Sequence, residues 1–453
     1  MIGLQRWATK PRDPMTQTLH HMRLGLFIQA AGHHANGWRY PGAQSGSENF
    51  KLIKQLTLAA ERACLDMVFF GDKLVTSAQE HPSMIVRFEP LTLLGALASI
   101  TERIGLAATA STTYGEPYTV ARQFGTLDHL SEGRAAWNVV TTGYDSAANF
   151  SRASHPNHDL RYEVAEEFVD VVRGLWDSFE DDAYVRDAQA GVYLDAGKMH
   201  PLEHKGPHFS IDGPLNLTRS PQGHPVLIQA GSSGPGMSLA ARVAEVVFTA
   251  QQDLETAQQF YRELKQQVIG HGRNPEHCLV MPGVMPIIGA TASEAQASFE
   301  RLQQWTDLDT ALKLVAERLG QNLDGFDLDQ PLPDLPLPQN MKSRAQLLLD
   351  MSHRDGLTLR QICHLVAGAR GHKILVGTPA QVADELIAWF EGEAADGFNL
   401  MPSHFPEGLQ LFVDGVLPIL RQRGVFRHEY SGTTLREHLG LPRPAHRNWR
   451  TQR

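Results

Sequence analysis

Short apolar runs recur along the chain, with helical patterns between them. Residues 23–29, RLGLFIQ, form the first run. Residues 48–65 follow, with Phe50, Ile53, Leu56 and Ala60 on one face at helical spacing. Residues 67–72, MVFFGD, form the second run and end on a carboxylate. A helix is expected over 90–100, a third strand over 104–112, rich in small residues and hydroxyls, and a third helix over 120–130. The fourth strand, 135–141, holds Asn138 among apolar and β-branched residues. Burying an amide without a hydrogen bond costs on the order of a few kcal/mol, so a polar partner is expected for it.

The pattern continues in the second half. An amphipathic helix is expected over 160–176, with Val164, Phe168, Val172 and Leu175 as its stripe and Asp159 as N-cap. Residues 191–217 are Gly- and Pro-rich and read as an inserted loop or hairpin. Strand five (225–231), GSSGPG, a helix (237–244), strand six (245–250) and strand seven (279–289) follow. After Thr291 comes a long non-barrel stretch with helices at 293–305 and 344–351. Residues 331–338 read as extended linker, since proline continues neither element. A helix (382–391), strand eight (397–402) and a last helix (409–423) complete the chain.

Eight short buried strands, each followed by a helix, predict an α/β fold, the (β/α)8 TIM barrel. Two insertions, at about 143–224 and 290–380, take up the length beyond the roughly 250 residues of a plain barrel. The expected organisation is an N-terminal extension (1–22), one barrel domain (23–441) and a C-terminal tail (442–453). A doubly wound sheet would want GxGxxG after its first strand, where this chain has IQAAGHHANG.

Composition narrows the function. The 453 residues carry a net charge of −9, which argues against nucleic acid or an anionic membrane as partner. No apolar run approaches the roughly 18 residues that span a bilayer, and the N-terminus lacks the apolar core of a signal peptide. Cys64, Cys278 and Cys363 lie far apart, which gives no disulfide framework and suits a reducing cytoplasm. The 21 histidines include no HExxH and no Cys/His cluster, so no metal is expected.

Barrel enzymes place their sites at the C-terminal strand ends. Here those ends offer residues 29–34, Asp72, 109–112, 138–142, 229–233 and 402–404. Glycoside hydrolysis needs two opposed carboxylates, and only Asp72 is evident. Hydroxyls, amides and imidazoles suit hydrogen bonding to a large polar heterocycle. Two stretches read as anion cups: Gly231-Ser232-Ser233-Gly234, between a strand and a helix, and His158 with Tyr162 in a helical first turn.

Residues 133–144, GRAAWNVVTTGY, with LDHLS (127–131) before and AANF (147–150) after, resemble the flavin-dependent monooxygenases related to bacterial luciferase. The resemblance runs from about residue 23 to 441 and is to the branch with the nitrilotriacetate, EDTA and dibenzothiophene-sulfone enzymes. It implies an FMN in the barrel mouth, flanked by Asp72, Thr109 and Asn138, with His158, Tyr162, Ser232 and Ser233 toward its phosphate. It implies a two-component enzyme: a separate NAD(P)H:FMN reductase supplies FMNH2, and oxygen is activated as a flavin C4a-hydroperoxide. The substrate would be a small organic molecule of aminopolycarboxylate or organosulfur type, and the assembly a homodimer or homotetramer. His33 matches the family histidine before the Trp-Arg pair and is the expected manager of the peroxide proton; His34 stays open as its neighbour. Phe70, with Phe69 and Met401, is expected to wall the substrate space. Arg318 stands where the sulfone-oxidising members carry histidine, and suits an anionic substrate. Two other readings remain: a deazaflavin (F420)-dependent hydride-transfer oxidoreductase on the same barrel, or a non-catalytic flavin-binding protein. Spectra with FMNH2 and oxygen, set against titration with the deazaflavin, separate them.

Overall fold

A computed structural model describes residues 21–447 except 30, 45, 79, 81, 232 and 339–341. Most of the expected N-terminal extension, the last six residues and Ser232 thus lie outside the described residues. Met22, counted with the extension from sequence, is buried, and its amide donates to the Val425 carbonyl.

The strands in chain order are β1 (Arg23–Phe27), β2 (Met67–Phe70), β3 (Gly105–Ser111), β4 (Ala135–Val140), the two-residue β5 (His204–Lys205) and β6 (Ser210–Ile211), β7 (Val226–Gln229), β8 (Val246–Thr249), β9 (Leu279–Ile288), β10 (Lys373–Gly377) and β11 (Gly397–Leu400). Eight of them close a parallel barrel in the order β1-β2-β3-β4-β7-β8-β9-β11 and back to β1. These are the eight strands the apolar runs predict. Strands covered on both faces read as continuous apolar runs, and these are buried along nearly all their length.

Helices cover the barrel: α1 (Phe50–Arg62) after β1, α2 (Pro82–Ile85) and α3 (Pro90–Ala98) after β2, α4 (Pro117–Leu130) after β3, α5 (His158–Trp176) after β4, α6 (Gly234–Val243) after β7 and α7 (Leu254–Gly270) after β8. Then α8 (Ala292–Gln304), α9 (Leu308–Leu319), α10 (Lys342–Asp355) and α11 (Leu359–Ala369) lie between β9 and β10. α12 (Pro379–Glu391) follows β10, and α13 (Glu407–Leu411), α14 (Leu417–Gln422) and α15 (Leu435–Leu439) follow β11.

Four expectations need correction. The N-cap of α5 is Asn157, whose side chain accepts from the Leu160 amide; Asp159 sits inside the first turn and bonds the His158 ring. The helix expected as the last one is broken at Phe412–Val416, where the turns widen, and α15 comes after it. The stretch after Thr291 also contains α9 and α11, and α9–α11 bury an apolar cluster of their own. Finally, that stretch holds β10, which joins the sheet by pairing in parallel with Val284 to Ile288 on β9.

The barrel interior is packed, not hollow. Phe27, Phe69 and Phe248 meet edge-on or tilted with ring centroids 4.8–5.9 Å apart, among Met67, Met281, Met285 and Met401. The space is tight enough that a Cβ on Gly283 would meet Met401 Sδ at 2.7 Å and Phe248 Cε2 at 2.9 Å. At the N-terminal face α15 closes the barrel with Leu435 and Leu439, held by Arg436 on both Glu245 carboxylate oxygens at 2.6 and 2.9 Å. The C-terminal face is the open one.

Candidate active site

Strand alternation decides what reaches this open end. On β3 and β4, Thr109 and Asn138 are register partners, so their side chains lie side by side on one face. The Asn138 amide donates to Thr109 Oγ1 at 2.8 Å, which is the polar partner expected for it. Asn138 Oδ1 is buried and accepts from no described residue. The Thr109 hydroxyl, having accepted, keeps its own proton to donate. The pair therefore offers one donor and one acceptor that no described residue uses.

Above this pair is a cavity of about 280 Å³, bounded by the ends of β2, β3, β4 and β7 and the starts of α5 and α6. Asp72, Thr109, His158, Tyr162 and Ser233 all line it. Ser233 caps α6 by accepting from the Gly236 amide at 3.3 Å, and His158 opens α5. Two helix N-termini, each with unpaired amides and a positive dipole end, thus converge on one side of the cavity. The Tyr162 hydroxyl stands over Gly231 and Gly236; a Cβ on either would come within 2.8 or 2.9 Å of it. The glycines of the GSSGPG turn keep that hydroxyl clear.

Arg161 belongs to the same wall, which the sequence reading did not assign. Its Nη1 donates to the Thr142 carbonyl at 3.1 Å and pairs with His155; among the described residues its buried Nε has no partner and no carboxylate pairs with it. Burial lowers its pKa, and burial followed by the Arg161 charge lowers that of His155, so the imidazole there is neutral. Thr142 holds a left-handed backbone (φ 44°), a strained conformation for a β-branched residue that aims its carbonyl at Arg161. Across the cavity, burial raises the Asp72 pKa, against the lowering effect of the Lys73 amide that bonds the carboxyl at 2.8 Å.

The other expected site residues lie elsewhere. Phe70 packs outward with Ile28, Ile53 and Leu93, whereas Phe69 faces the barrel interior; adjacent strand residues take opposite faces, and both being Phe, the sequence does not say which is which. Arg318 is buried on α9 and donates to the Leu314 carbonyl at 2.9 Å, away from this cavity. His33 is fully buried. Its Nε2 donates to the Phe27 carbonyl at 2.7 Å, and its Nδ1 accepts from Arg370 at 2.8 Å. Both nitrogens are thus engaged by protein groups, and His33 does not line this cavity. His34 is also fully buried; its Nδ1 accepts from the Asn36 amide at 3.1 Å, which puts the proton on Nε2, and that atom has no partner among the described residues. Burial, then the nearby His364 and His404, lowers its pKa to about 3.

The residues present fit a flavin phosphate and ring. The fit rests on the unused Thr109 and Asn138 groups, the uncompensated Arg161 charge and the clear hydroxyl of Tyr162.

Comparison with known proteins places the chain in a family. Residues 22–396 match the family model described as luciferase-like monooxygenase. N-acetyl-S-(2-succino)cysteine monooxygenase of Bacillus subtilis (strain 168) is 51% identical, over 96% of this chain and 99% of its own length. Nitrilotriacetate monooxygenase component A of Aminobacter aminovorans is 46% identical, over 93% of this chain and 97% of its own. Among solved structures, riboflavin lyase with modified FMN and riboflavin aligns with TM-score 0.84 and 32% identity, over 93% of this chain and 96% of that one.

Proposed function

Since this chain belongs to the luciferase-like monooxygenases, we propose that it is the oxygenase of a two-component system that takes reduced FMN from a separate NAD(P)H:FMN reductase. Reduced flavin, when bound, supplies the electrons that activate dioxygen. The observation that carries this reading is the cavity where Thr109, His158, Arg161, Tyr162 and Ser233 converge at the barrel mouth. Its walls offer hydrogen bonds and positive charge but no nicotinamide-binding motif, in keeping with a cofactor delivered already reduced. The relative named component A has a name that itself implies a second component.

In this reading the chain has three tasks. Arg161, Tyr162, His158 and Ser233 hold the phosphate, joined by the amides at the start of α6. Thr109 in the cavity wall, with Asn138 bonded to it, would offer hydrogen bonds to the ring, and Asp72 lines the cavity on the β2 side. The packed Phe27, Phe69 and Phe248 fill the barrel interior and would keep water from entering the site through it. His33 acts as a positioning residue that ties the end of β1 to Arg370. The two relatives with the higher identities are named for polycarboxylated molecules, a thioether and an amine, and we assign this chain a substrate of the same kind.

The test is product formation from N-acetyl-S-(2-succino)cysteine and from nitrilotriacetate, with a generic flavin reductase, NADH and FMN. Product is expected only when the reductase is present. Sustained NADH oxidation by the purified chain alone would overturn the two-component reading. A homodimer or homotetramer is expected, and light scattering that gave only monomer at micromolar concentration would exclude it.

A further inference from the structure

A surplus of positive charge lies at the opposite end of the barrel. A cavity of about 500 Å³ sits beside the N-terminal ends of β7 and β8, between α5, α6, the 271–277 turn and the segment after α15. Five arginines line it against two carboxylates. Arg242 is bonded to Asp170 at 2.9 and 3.0 Å, and Arg436 to Glu245 at 2.6 and 2.9 Å. Those two pairs use both acids and leave three guanidinium groups. Arg273 spends its donors on the carbonyls of Ala241 and Ala244 at the end of α6, which supply no charge. Among the described residues, Arg447 bonds through its backbone amide alone, to Asp177 Oδ2 at 3.4 Å. Arg173, on α5, makes no hydrogen bond or ion pair with any described residue.

A guanidinium presents five donors in a planar fork, and the half-buried Arg173 has none of them taken by a described protein group. Here a second guanidinium also faces it. Burial, and after it the Arg447 charge, draws the Arg173 pKa down to about 10. The neighbouring histidine gives no relief: His224 is buried and neutral and donates to Asp177 at 2.9 Å. Arg173, Arg273 and Arg447 come from three separate parts of the chain, yet they face one space.

We propose that this cavity binds a small multivalent oxyanion, with phosphate or carboxylate groups held by the forks of Arg173 and Arg447. Such a ligand would tie α5 to the segment after α15 and neutralise the surplus charge. The site lies at the closed face of the barrel, so occupancy leaves the flavin cavity open.

The experiment uses the full chain, with thermal unfolding and calorimetric titration against sodium pyrophosphate, sodium citrate and sodium chloride at matched ionic strength. A saturable rise in melting temperature is expected with pyrophosphate or citrate and not with chloride. Pyrophosphate alone identifies a phosphate-bearing ligand; citrate alone identifies a carboxylate-bearing one; both together identify the shared oxyanion chemistry. Arg173→Gln should weaken the binding at least tenfold while product formation with the reductase stays at the wild-type level. Arg447→Gln, at an exposed position, is the second variant and decides the matter if Arg173→Gln does not fold. If neither anion acts beyond chloride, or both variants keep wild-type affinity, the proposal is wrong.

Discussion

His34 gives a prediction whose size follows from its surroundings. The ring is fully buried, its Nδ1 accepts the Asn36 amide, and its pKa falls from 6.5 to about 3, through burial first and His364 and His404 after it. In the unfolded chain the same imidazole titrates near 6.5. Between those values the unfolded state binds a proton that the folded state refuses. Stability is therefore complete above about pH 7 and is lost as pH falls through 6.5 toward 3. At pH 5 the loss from this one residue is about 2 kcal/mol relative to pH 7.5. A chain of this length has an unfolding entropy of about 950 cal/mol/K, so the loss appears as about 2 °C in melting temperature. His34→Asn is the matching perturbation: its Oδ1 replaces Nδ1 as acceptor for the Asn36 amide, and it cannot titrate. Any void it leaves costs the same at both pH values and cancels in the difference. Differential scanning calorimetry of both proteins at pH 7.5 and 5 reads the effect. Wild type should lose about 2 °C more than the variant. Equal losses would mean that His34 is not held neutral by its burial.

Three further outcomes follow from the site geometry. Arg161→Gln and Tyr162→Phe should each weaken reduced FMN binding by about 1.5–3 kcal/mol, the value of a hydrogen bond to a charged group, while reduced riboflavin binding changes little; an equal loss for both ligands in anaerobic titrations would place these residues away from the phosphate. Ser233→Ala should lower FMN affinity and also cost about 1 kcal/mol of stability through the lost α6 cap, read as a shift in urea midpoint; an unchanged midpoint would show that the 3.3 Å cap bond contributes nothing. His33→Ala should keep reduced FMN affinity and lower product formed per NADH, with hydrogen peroxide accounting for the difference; wild-type coupling in the variant would remove His33 from the reaction's machinery.

Much of the barrel was legible because buried parallel strands are apolar throughout and turns separate them. β4 shows how far this goes: its position, its Asn138 and the need for a partner could all be read, although Thr109 as that partner depends on register. β10 was not legible, since KILVG follows an apolar helix and resembles its continuation in pattern. The cap of α5 was misplaced by two residues because Asn157 and Asp159 are both good caps and only backbone geometry separates them. Arg161 was overlooked for a related reason. In a helical first turn His158 and Tyr162 share a face by spacing, and the direction of a long side chain between them is set by Thr142 and His155, which are distant in sequence. The phenylalanines at 69 and 70 show the limit of composition, for when both parities are apolar, pattern cannot assign faces.

The pairing of β10 bears on whether parts of this chain can be exchanged. β9 is ten residues long, and its two halves have different neighbours. Leu279 to Pro282 pair with β8, Gly283 and Val284 with β11, and Val284 to Ile288 with β10. The segment between β9 and β11 is thus stitched to the barrel by backbone hydrogen bonds and is not a detachable module. Trimming it to a short loop, or grafting in the corresponding segment of a relative without its strand, would leave Val284 to Ile288 as a bare apolar edge, the kind of edge that recruits other chains into aggregates. Recombination in this lineage would need to carry β9 and β10 together, with crossover points before Leu279 or after Gly377.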